Sequence, residues 1–590
     1  MRIEMSRSRR TLVTVALLIV SAATLYGRRL DYAPPHLEVD EVLIALDAHS
    51  MASTGHDVRG ESFPLYFPVG ATSWYQPAII YLTALVLKVA PLSESSIRVP
   101  TVGIAVLDVV LIYFVARQLL ASELFGIVAA VLLALTPAHF IHARYGMDYL
   151  YPVPFILAWL LCLLRYREQR RPWLLALGMS ILGVGFYSYI ASIVMMPLYF
   201  LFTGLLLYSD RADRREYGLA AGSFVAWLIP FVVWLIRHPH AFDATVAKYA
   251  LYDARQLDAV QGIRSLVSYA SASDRASRYW NFFNPAFLLF GSGIKMPFST
   301  NLVGVFLFAF AALVPLGLYA AVKRRGESPI NLVVVAGFLT APLAAVIVAE
   351  QNAIFRGLGI LPFGVLLAII GAHYLWFSSI NPPLRWPYPL VSVAVIAAGA
   401  AYAIWTLATQ SRVTSSVVPL VAAGILIFAG GLVLDRLKTW RVVVVCLLAL
   451  VLIQWGLFLS DYFSGYRTRS AVWLGGNIRE GLEEIIAREA HEPIPFVYLS
   501  PLATTGQVDQ HMTFTDAYWQ FYLAKHHRSD LLARTRIFEP EQIDTVPAGS
   551  LILASVGDKA TEALVSRGAL KRVRAVPELD GSTFFLILQR

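Results

Sequence analysis

The sequence predicts a polytopic α-helical membrane protein with a small α/β domain outside the membrane at its C-terminal end. Three observations lead to this fold class. The chain is 57% hydrophobic and only 15% charged, whereas soluble proteins average about 25% charged residues. Apolar runs of about 20 residues, long enough to cross a bilayer, recur between residues 11 and 460. Beyond residue 460 the pattern changes to short, alternating strand and helix signals.

About 13 of the apolar runs are predicted to be transmembrane helices. They lie at 11–27, 97–118, 123–141, 150–165, 173–190, 191–208, 218–236, 301–322, 329–349, 356–377, 387–407, 415–434 and 441–460. The first is expected to be retained, because no convincing signal-peptide cleavage site follows the basic start "MRIEMSRSRR". The run 78–87 is short and flanked by Pro77 and Lys88, so a helix on the membrane surface is expected there.

The distribution of basic residues supports this topology. Four short loops between the predicted spans are basic: 165–171, 211–215, 323–325 and 435–441. If the run 78–87 does not cross the membrane, all four loops lie on the same side of the membrane as the basic N-terminus. Lys and Arg in short loops favour the cytoplasm, which predicts a cytoplasmic N-terminus and an extracytoplasmic C-terminus. The net charge of +9 is then a consequence of topology, and no nucleic-acid partner is expected. Both cysteines fall inside apolar runs, so no disulfide framework is expected.

This topology places the polar segments of the chain on the outer face. They comprise a first loop at 28–96, "HARYGMDY" at 142–149, a second large loop at 237–300, "EQNAIFR" at 350–356 and the tail. Such asymmetry predicts a catalytic or binding cavity on that face. The chain is accordingly divided into a transmembrane domain, 1–460, and a C-terminal domain, 461–590.

The C-terminal domain is predicted from three strand-like and three helical segments. The strands are "PIPFVYLS", "GSLILASV" and "STFFLILQ", and the helices are "NIREGLEEIIAREA", "AYWQFYLAKHH" and "DKATEALVSRG". Their alternation indicates an α/β domain. The chain contains no GxGxxG, P-loop or HExxH motif, which gives no support to nucleotide or zinc-peptidase chemistry.

The first outer loop carries a concentration of carboxylates, "LEVDEVLIALDAHSMASTGHD". Asp40 and Glu41 follow the first span closely. An apolar wall raises the pKa of a neighbouring carboxyl, which suits a general base at the membrane surface; the alternative is a solvated amphipathic helix. Glu38, Asp47 and Asp57 are expected to be solvated or to make local hydrogen bonds.

Two further outer-face motifs carry basic side chains. Arg144 and Asp148 are four residues apart and could pair on one helical turn, either as a phosphate or metal contact or as a capping ion pair. Arg356 lies at the end of a predicted span, where its guanidinium could bind a lipid-linked phosphate. The alternative is that the side chain only extends to the membrane–water interface, as arginine at span ends often does. The histidines His142, His238 and His240 have no ligand partner at a metal-site spacing.

The order of these sequence segments resembles the order found in a known protein family. The acidic first loop is followed by "YQPAIIYLTALVLKVAP", "TPAHFIHARYGMDYL", "NFFNPAFLLFGSG" and "IFRGLGILPF". Residues 11–377 are similar to bacterial protein O-mannosyltransferase-like (dolichyl-phosphate-mannose-transferase-like) glycosyltransferases of the GT-C superfamily, relatives of lipid A aminoarabinose transferases. The resemblance implies a GT-C-like fold with surface-lying helices in the first outer loop. One departure is Gln76, where relatives often carry a second proline.

The resemblance also implies site residues. Asp40 matches the catalytic acidic position, with Glu41 beside it. Arg144 and Asp148 match a second outer motif near the donor phosphate, and Arg356 matches a basic residue at the outer end of a later span.

The function expected from this match is transfer of a sugar from a polyprenyl-phosphate donor to an acceptor hydroxyl at the outer face of the cytoplasmic membrane. The acceptor is a lipid, a glycan or a protein, and membrane lipids surround the enzyme. Asp40 would be the base of an inverting displacement. Arg144, Arg356, Lys295 or a divalent metal ion would offset the phosphate charge; no other cofactor is expected. The alternatives are a transporter or flippase for a lipid-linked glycan and a non-catalytic assembly subunit.

Overall fold

The structure, a computed structural model, describes most of the chain. The described residues are 7–70, 73–241, 261, 269–323, 328–348, 352–378, 440–501, 503, 507–509 and 512–590, with isolated positions between 393 and 404.

The membrane part is a bundle of helices packed around one large apolar core. In chain order the helices before the second large outer loop are α1 (Arg7–Gly27), α2 (Val39–Thr54), α3 (Pro77–Leu87), α4 (Glu94–Leu120), α5 (Glu123–Ala134), α6 (Pro137–His142), α7 (Pro152–Gln169), α8 (Pro172–Gly185), α9 (Ser192–Ser209), α10 (Arg214–Val225) and α11 (Ile229–Arg237). They are followed by α12 (Tyr269–Asn281), α13 (Pro285–Phe290), α14 (Ala309–Lys323), α15 (Ile330–Thr340), α16 (Leu343–Ile347), α17 (Ile360–Phe377) and α18 (Arg441–Tyr462).

Eight stretches within the described residues are long and apolar enough to cross a membrane, so the chain is an integral membrane protein. Each coincides with a predicted span. Three further predicted spans, 123–141, 173–190 and 301–322, coincide with the shorter helices α5, α8 and α14. The predicted spans 387–407 and 415–434 lie outside the described residues apart from isolated positions. The total of 13 therefore stays a prediction.

The loop predicted as the first outer loop, 28–96, packs against one end of the helix bundle. It contains α2, a two-stranded antiparallel ribbon of β1 (Phe67–Val69) and β2 (Ser73–Tyr75), and α3. Helix α3 has 11 residues, which gives a length of about 17 Å, short of the roughly 30 Å hydrocarbon core. This length agrees with the non-spanning helix predicted there, and α3 packs against α2 and α4.

The C-terminal region is an α/β domain, as predicted. Its strands and helices follow the short helix α19 (Gly465–Ala471). They are α20 (Ile478–His491), β3 (Val497–Leu499), β4 (Gln507–Asp509), β5 (Met512–Thr513), α21 (Phe514–Lys525), β6 (Thr535–Ile537), β7 (Leu551–Ser555), α22 (Lys559–Ser566), β8 (Lys571–Pro577) and β9 (Thr583–Gln589). The main sheet has the order β6-β3-β7-β9-β8 and is mixed: β3 runs parallel to β6 and β7, whereas β9 runs antiparallel to β7 and β8.

This domain is docked on the first outer loop through shared apolar and polar contacts. Residues of α2 and α21 belong to one buried cluster. The Tyr518 hydroxyl donates to the carbonyl of Leu37 at 2.8 Å, and the Lys525 ammonium contacts both oxygens of Glu94 at 2.9 Å. The C-terminal domain therefore holds the chain just ahead of α2 in place.

Candidate active site

Helix α2 begins with a side-chain cap that fixes its first turn. The carboxylate of Glu38 accepts from the backbone N–H of Asp40 at 2.9 Å, and the carboxylate of Glu41 accepts from the N–H of Glu38 at 3.0 Å. Such reciprocal capping satisfies amides that a helix N-terminus leaves unpaired. Burial, reinforced by the charge of Asp40, raises the pKa of Glu38 well above its ordinary value. The expected local hydrogen bonding of Glu38 is thus what the structure shows.

Glu41 is completely buried and ion-paired. Arg98 of α4 donates from Nε to its Oε1 at 2.9 Å and from Nη2 to its Oε2 at 3.0 Å. The N–H of Gly146 donates to Oε1 at 2.7 Å. These contacts join α2, α4 and the 142–149 segment at one point. They give Glu41 a structural position, and the catalytic role predicted for it gains no support from this geometry.

Arg144 is also buried, at 0% exposure, and its guanidinium faces backbone carbonyls. It donates to the carbonyl of Tyr26 in the last turn of α1, where helix carbonyls lack helical partners, and to the carbonyls of Arg29 and Ala33 in the loop that follows. The side chain therefore anchors the loop that leads from the first span to α2. No ion pair with Asp148 is formed at the spacing of four that suggested one, because Arg144 lies in the turn after α6 and Asp148 begins a separate 3-10 turn. The predicted phosphate contact of Arg144 gains no support from these bonds.

Asp40 has a different environment from Glu41, although the two are neighbours. It is half-buried, and its Oδ1 accepts a hydrogen bond of 2.6 Å from the Tyr75 hydroxyl on β2. Burial, with the adjacent charge of Asp40, raises the pKa of Tyr75 well above its ordinary value. Tyr75 therefore stays protonated and acts as a fixed donor that orients the Asp40 carboxylate.

Asp148 lies near both Asp40 and Arg356. The carboxylate of Asp148, only 7% exposed, interacts electrostatically with both of these side chains. Asp148 and Arg356 stand on two short 3-10 turns, Asp148–Leu150 and Ile354–Arg356, that pack against each other. The structure thus brings together three of the six predicted site residues: Asp40, Asp148 and Arg356.

Aromatic side chains surround this cluster. The ring of Tyr149 lies 5.0 Å from that of Phe355 and 5.6 Å from that of Tyr189, and Phe298 lies 5.1 Å from Phe355. An aromatic wall with a few convergent polar groups is typical of a ligand site. Lys295 is exposed on the segment between α13 and α14, and its predicted phosphate contact stays a prediction.

The sequence allows a divalent metal ion at the site but does not require one. Among the residues that the structure describes, no group of three or more His, Cys, Asp or Glu side chains could hold a metal ion. Mg²⁺ is often held by only one or two carboxylates together with substrate phosphates. The pair Asp40 and Asp148 would suit that mode, so a divalent ion stays a prediction.

Three residues of the site were not singled out from the sequence. Tyr75 carried no distinguishing signal. For Glu38 the sequence predicts only solvation or local hydrogen bonds. Arg98 did leave a signal, since "SSIRVP" places an arginine at the start of an apolar run, and a buried charge requires a partner.

Comparison with known proteins identifies a similar family and a similar fold. Residues 75–236 match the family described as dolichyl-phosphate-mannose-protein mannosyltransferase, a range that includes Tyr75, Arg98 and Asp148. The crystal structure of ArnT from Cupriavidus metallidurans in the apo state superposes with a TM-score of 0.51 at 14% identity, covering 98% of each chain. The chain has the GT-C fold.

The GT-C resemblance seen in the sequence is therefore confirmed. ArnT from the same organism bound to undecaprenyl phosphate has a TM-score of 0.47 at 14% identity, with 99% of this chain and 98% of that chain covered. No curated protein sequence gives a significant match. The description of the matched family names mannosyl transfer from dolichyl phosphate to protein.

Proposed function

We propose that the protein is a membrane glycosyltransferase that moves a sugar from a polyprenyl-phosphate donor to an acceptor hydroxyl at the outer face of the cytoplasmic membrane. The observation that carries the proposal is the position of Asp40. It is a half-buried carboxylate oriented by Tyr75 in a chain with the GT-C fold. It interacts electrostatically with Asp148, which in turn interacts with Arg356. The family match, whose description names dolichyl-phosphate-mannose, supports a lipid-linked donor.

The chemistry follows from the carboxylate and the neighbouring cation. Asp40 removes the proton of the acceptor hydroxyl as its oxygen attacks the anomeric carbon of the donor sugar. The bond from that carbon to the phosphate oxygen breaks, and polyprenyl phosphate leaves with the electron pair. One such displacement inverts the configuration at the anomeric carbon. No nucleotide takes part in these steps.

Arg356 is the side chain best placed to offset charge on the leaving phosphate. It is half-buried, electrostatically coupled to Asp148, and lies directly before α17, where a lipid phosphate would meet the bilayer edge. A guanidinium aimed at the site of developing charge lowers the barrier because it needs no reorganisation during the reaction.

A transporter or flippase is less well supported by the described residues. Transport sites are commonly built from ionisable groups that line a water-filled path in the bilayer. Asp108 is the clearest ionisable group within a span, and it is 0% exposed. Its Oδ2 lies 3.2 Å from Nε2 of His139, whose Nδ1 lies 3.0 Å from the Tyr26 hydroxyl. This buried network ties α1, α4 and α6 together.

The experiment that tests the proposal is sugar transfer by the purified protein. The detergent-solubilised chain is incubated with a panel of polyprenyl-phosphate sugars and cell-envelope extracts, and products are identified by mass spectrometry. We expect a glycosylated product and free polyprenyl phosphate, with inverted anomeric configuration by NMR. Absence of transfer from every donor by well-folded protein, or retained configuration, would contradict the proposal.

A further inference from the structure

A cavity of about 620 Å³ lies where the C-terminal domain meets the first turn of α2. Its volume falls within the range of about 300–1,000 Å³ that is typical of small-molecule sites. Glu38 and Val39 form one wall of the cavity. The segment directly after α19 and residues of the C-terminal α/β domain form the other walls. The cavity is therefore built by two parts of the chain that are far apart in sequence.

The lining combines aromatic faces with hydroxyl groups. Trp473, Phe514 and Phe584 supply the aromatic surface, and Ser555 and Thr583 supply hydroxyls. Trp473 is 64% exposed, a large apolar face left open at the cavity rim. A pyranose ring presents C–H groups on its faces and hydroxyls around its edge, so it can stack on aromatic rings while it bonds to hydroxyls and a carboxyl.

The charge of the lining separates two kinds of ligand. Among the described residues that line the cavity, none is lysine or arginine, and the one ionisable acid is Glu38. Phosphate and carboxylate ligands are usually held by Arg, Lys or a metal, and a carboxyl group would repel them when ionised. A neutral sugar does not need such partners, because a carboxyl bonds to its hydroxyls whether it accepts or, when protonated, donates.

The cavity adjoins the catalytic carboxylate through the cap of α2. Glu38 lines the cavity, its carboxylate accepts from the N–H of Asp40 at 2.9 Å, and it interacts electrostatically with Tyr149 of the aromatic wall. Tyr518 of α21 also lines the cavity, and its hydroxyl holds the carbonyl of Leu37 at 2.8 Å. A ligand in the cavity would therefore end within one helical turn of Asp40.

We propose that this cavity binds a neutral, hydroxyl-rich glycan portion of the acceptor, so that the C-terminal domain selects the acceptor. Its role as an acceptor subsite rests on the proposed glycosyl transfer, whereas glycan binding by the cavity does not. The donor, in contrast, is held on the membrane side at Arg356. Acceptor and donor would thus be recognised by different parts of the chain, with Asp40 between them.

Binding is tested directly by saturation-transfer NMR on the full-length protein in detergent. The probes are neutral mannose, galactose and arabinose oligosaccharides, and the same sugars carrying a phosphomonoester. We expect the parent to bind at least one neutral series, and Trp473→Ala and Phe584→Ala to weaken that binding at least tenfold. The matched control is Trp280→Ala, since Trp280 on α12 is 66% exposed but does not line the cavity.

The outcomes distinguish this inference from the proposed function. Absence of binding by all neutral probes, a preference for the phosphorylated sugars, or parental binding in both cavity variants would overturn the cavity assignment. Asp40→Asn should bind the neutral probes as the parent does, because Asp40 does not line the cavity. Glycan binding without any sugar transfer would leave the cavity assignment standing and contradict the proposed transferase.

Discussion

Glu41 and Arg98 form a bidentate ion pair in which the carboxylate is completely buried and the Arg98 side chain is 1% exposed. The two bonds, 2.9 and 3.0 Å long, connect the first turn of α2 to α4. Arg98 also donates to the carbonyls of Leu30, Pro34 and His36. One side chain thereby fixes both the loop before α2 and the helix itself, and so fixes where Asp40 points.

Removing either partner of this pair should destabilise the fold. A buried charge left without its partner costs about 3–5 kcal/mol, so Glu41→Ala and Arg98→Ala should each lower the thermal unfolding temperature clearly. Unfolding in detergent, followed by intrinsic fluorescence, measures this. An unchanged unfolding temperature in both variants would show that the pair does not hold the loop. Asp40→Asn is the neighbouring control, and its unfolding temperature should stay close to that of the parent.

Arg144 and Arg356 should respond differently to substitution. Arg144→Ala removes the guanidinium that donates to the buried carbonyls of Tyr26 and Ala33, and an unsatisfied buried group costs about 1–3 kcal/mol. We therefore expect lower stability. Arg356→Ala should instead keep stability and raise the donor KM, with the acceptor KM little changed.

Two measurements check this difference: unfolding temperature for both variants, and initial rates at varied donor and acceptor concentrations. Arg356→Lys keeps the charge but loses the planar fork and should show an intermediate donor KM. A donor KM equal to that of the parent in Arg356→Ala would show that the side chain only anchors to the membrane surface.

Tyr75 should act as a positioning residue for Asp40. Tyr75→Phe keeps the ring and removes the hydroxyl that donates to Oδ1 at 2.6 Å. Hydrogen bonds to charged groups contribute about 1.5–3 kcal/mol, so kcat should fall by roughly tenfold or more, at about 1.4 kcal/mol per tenfold. The donor KM should hardly change. A kcat equal to that of the parent, or an effect on KM alone, would contradict this role.

The α/β tail and most of the spans were predictable from sequence because they depend on local periodicity. The strand predicted in "STFFLILQ" is β9, and the helix predicted in "NIREGLEEIIAREA" is α20. The run 301–322 was predicted too long, since α14 begins only at Ala309. Before it, Asn301 has a positive φ and the Phe308 N–H donates to the Gln454 side chain, so apolar composition there does not produce a helix.

The candidate site was predictable only in part, for a different reason. The carboxylates Asp40 and Glu41 are adjacent and look alike in sequence. What separates them is Arg98, which is 57 positions away from Glu41, and Tyr75, which is 35 positions away from Asp40. Contacts between residues so far apart in the sequence are determined by tertiary packing. They cannot be predicted from composition or from the spacing of residues.

Asp47 predicts a pH dependence of stability. Burial raises its pKa to about 7, whereas an unfolded aspartate has a pKa of about 3.9. The folded chain therefore binds the proton more tightly, and this stabilisation is complete below about pH 4 and lost as pH rises through about 7. Asp47→Asn removes the charge and keeps an acceptor for the Val58 N–H, which bonds to Oδ1 at 3.1 Å.

The difference in unfolding temperature between Asp47→Asn and the parent should therefore grow from pH 5 to pH 8, with the variant more stable at pH 8. Asp544→Asn is the control, since the Asp544 side chain is 98% exposed and its loss should give no such trend. A difference that stays constant with pH would contradict the assignment of the titration to Asp47.

Asp40 carries the proposed chemistry, and Asp40→Asn tests it most directly. The change keeps the shape and the Tyr75 hydrogen bond but removes the basicity, and a general base contributes about 10²–10⁴-fold in rate. We expect sugar transfer to fall by that factor while expression, unfolding temperature and donor KM stay near those of the parent. The effect should be on kcat, because the proton moves only in the transition state.

Asp57→Asn is a suitable control in the same loop. Among the described contacts, the Asp57 side chain bonds only to the local backbone N–H groups of Arg59 and Glu61. Near-parental turnover in Asp40→Asn, measured on well-folded protein, would reject Asp40 as the base and return this turn of α2 to a purely structural role.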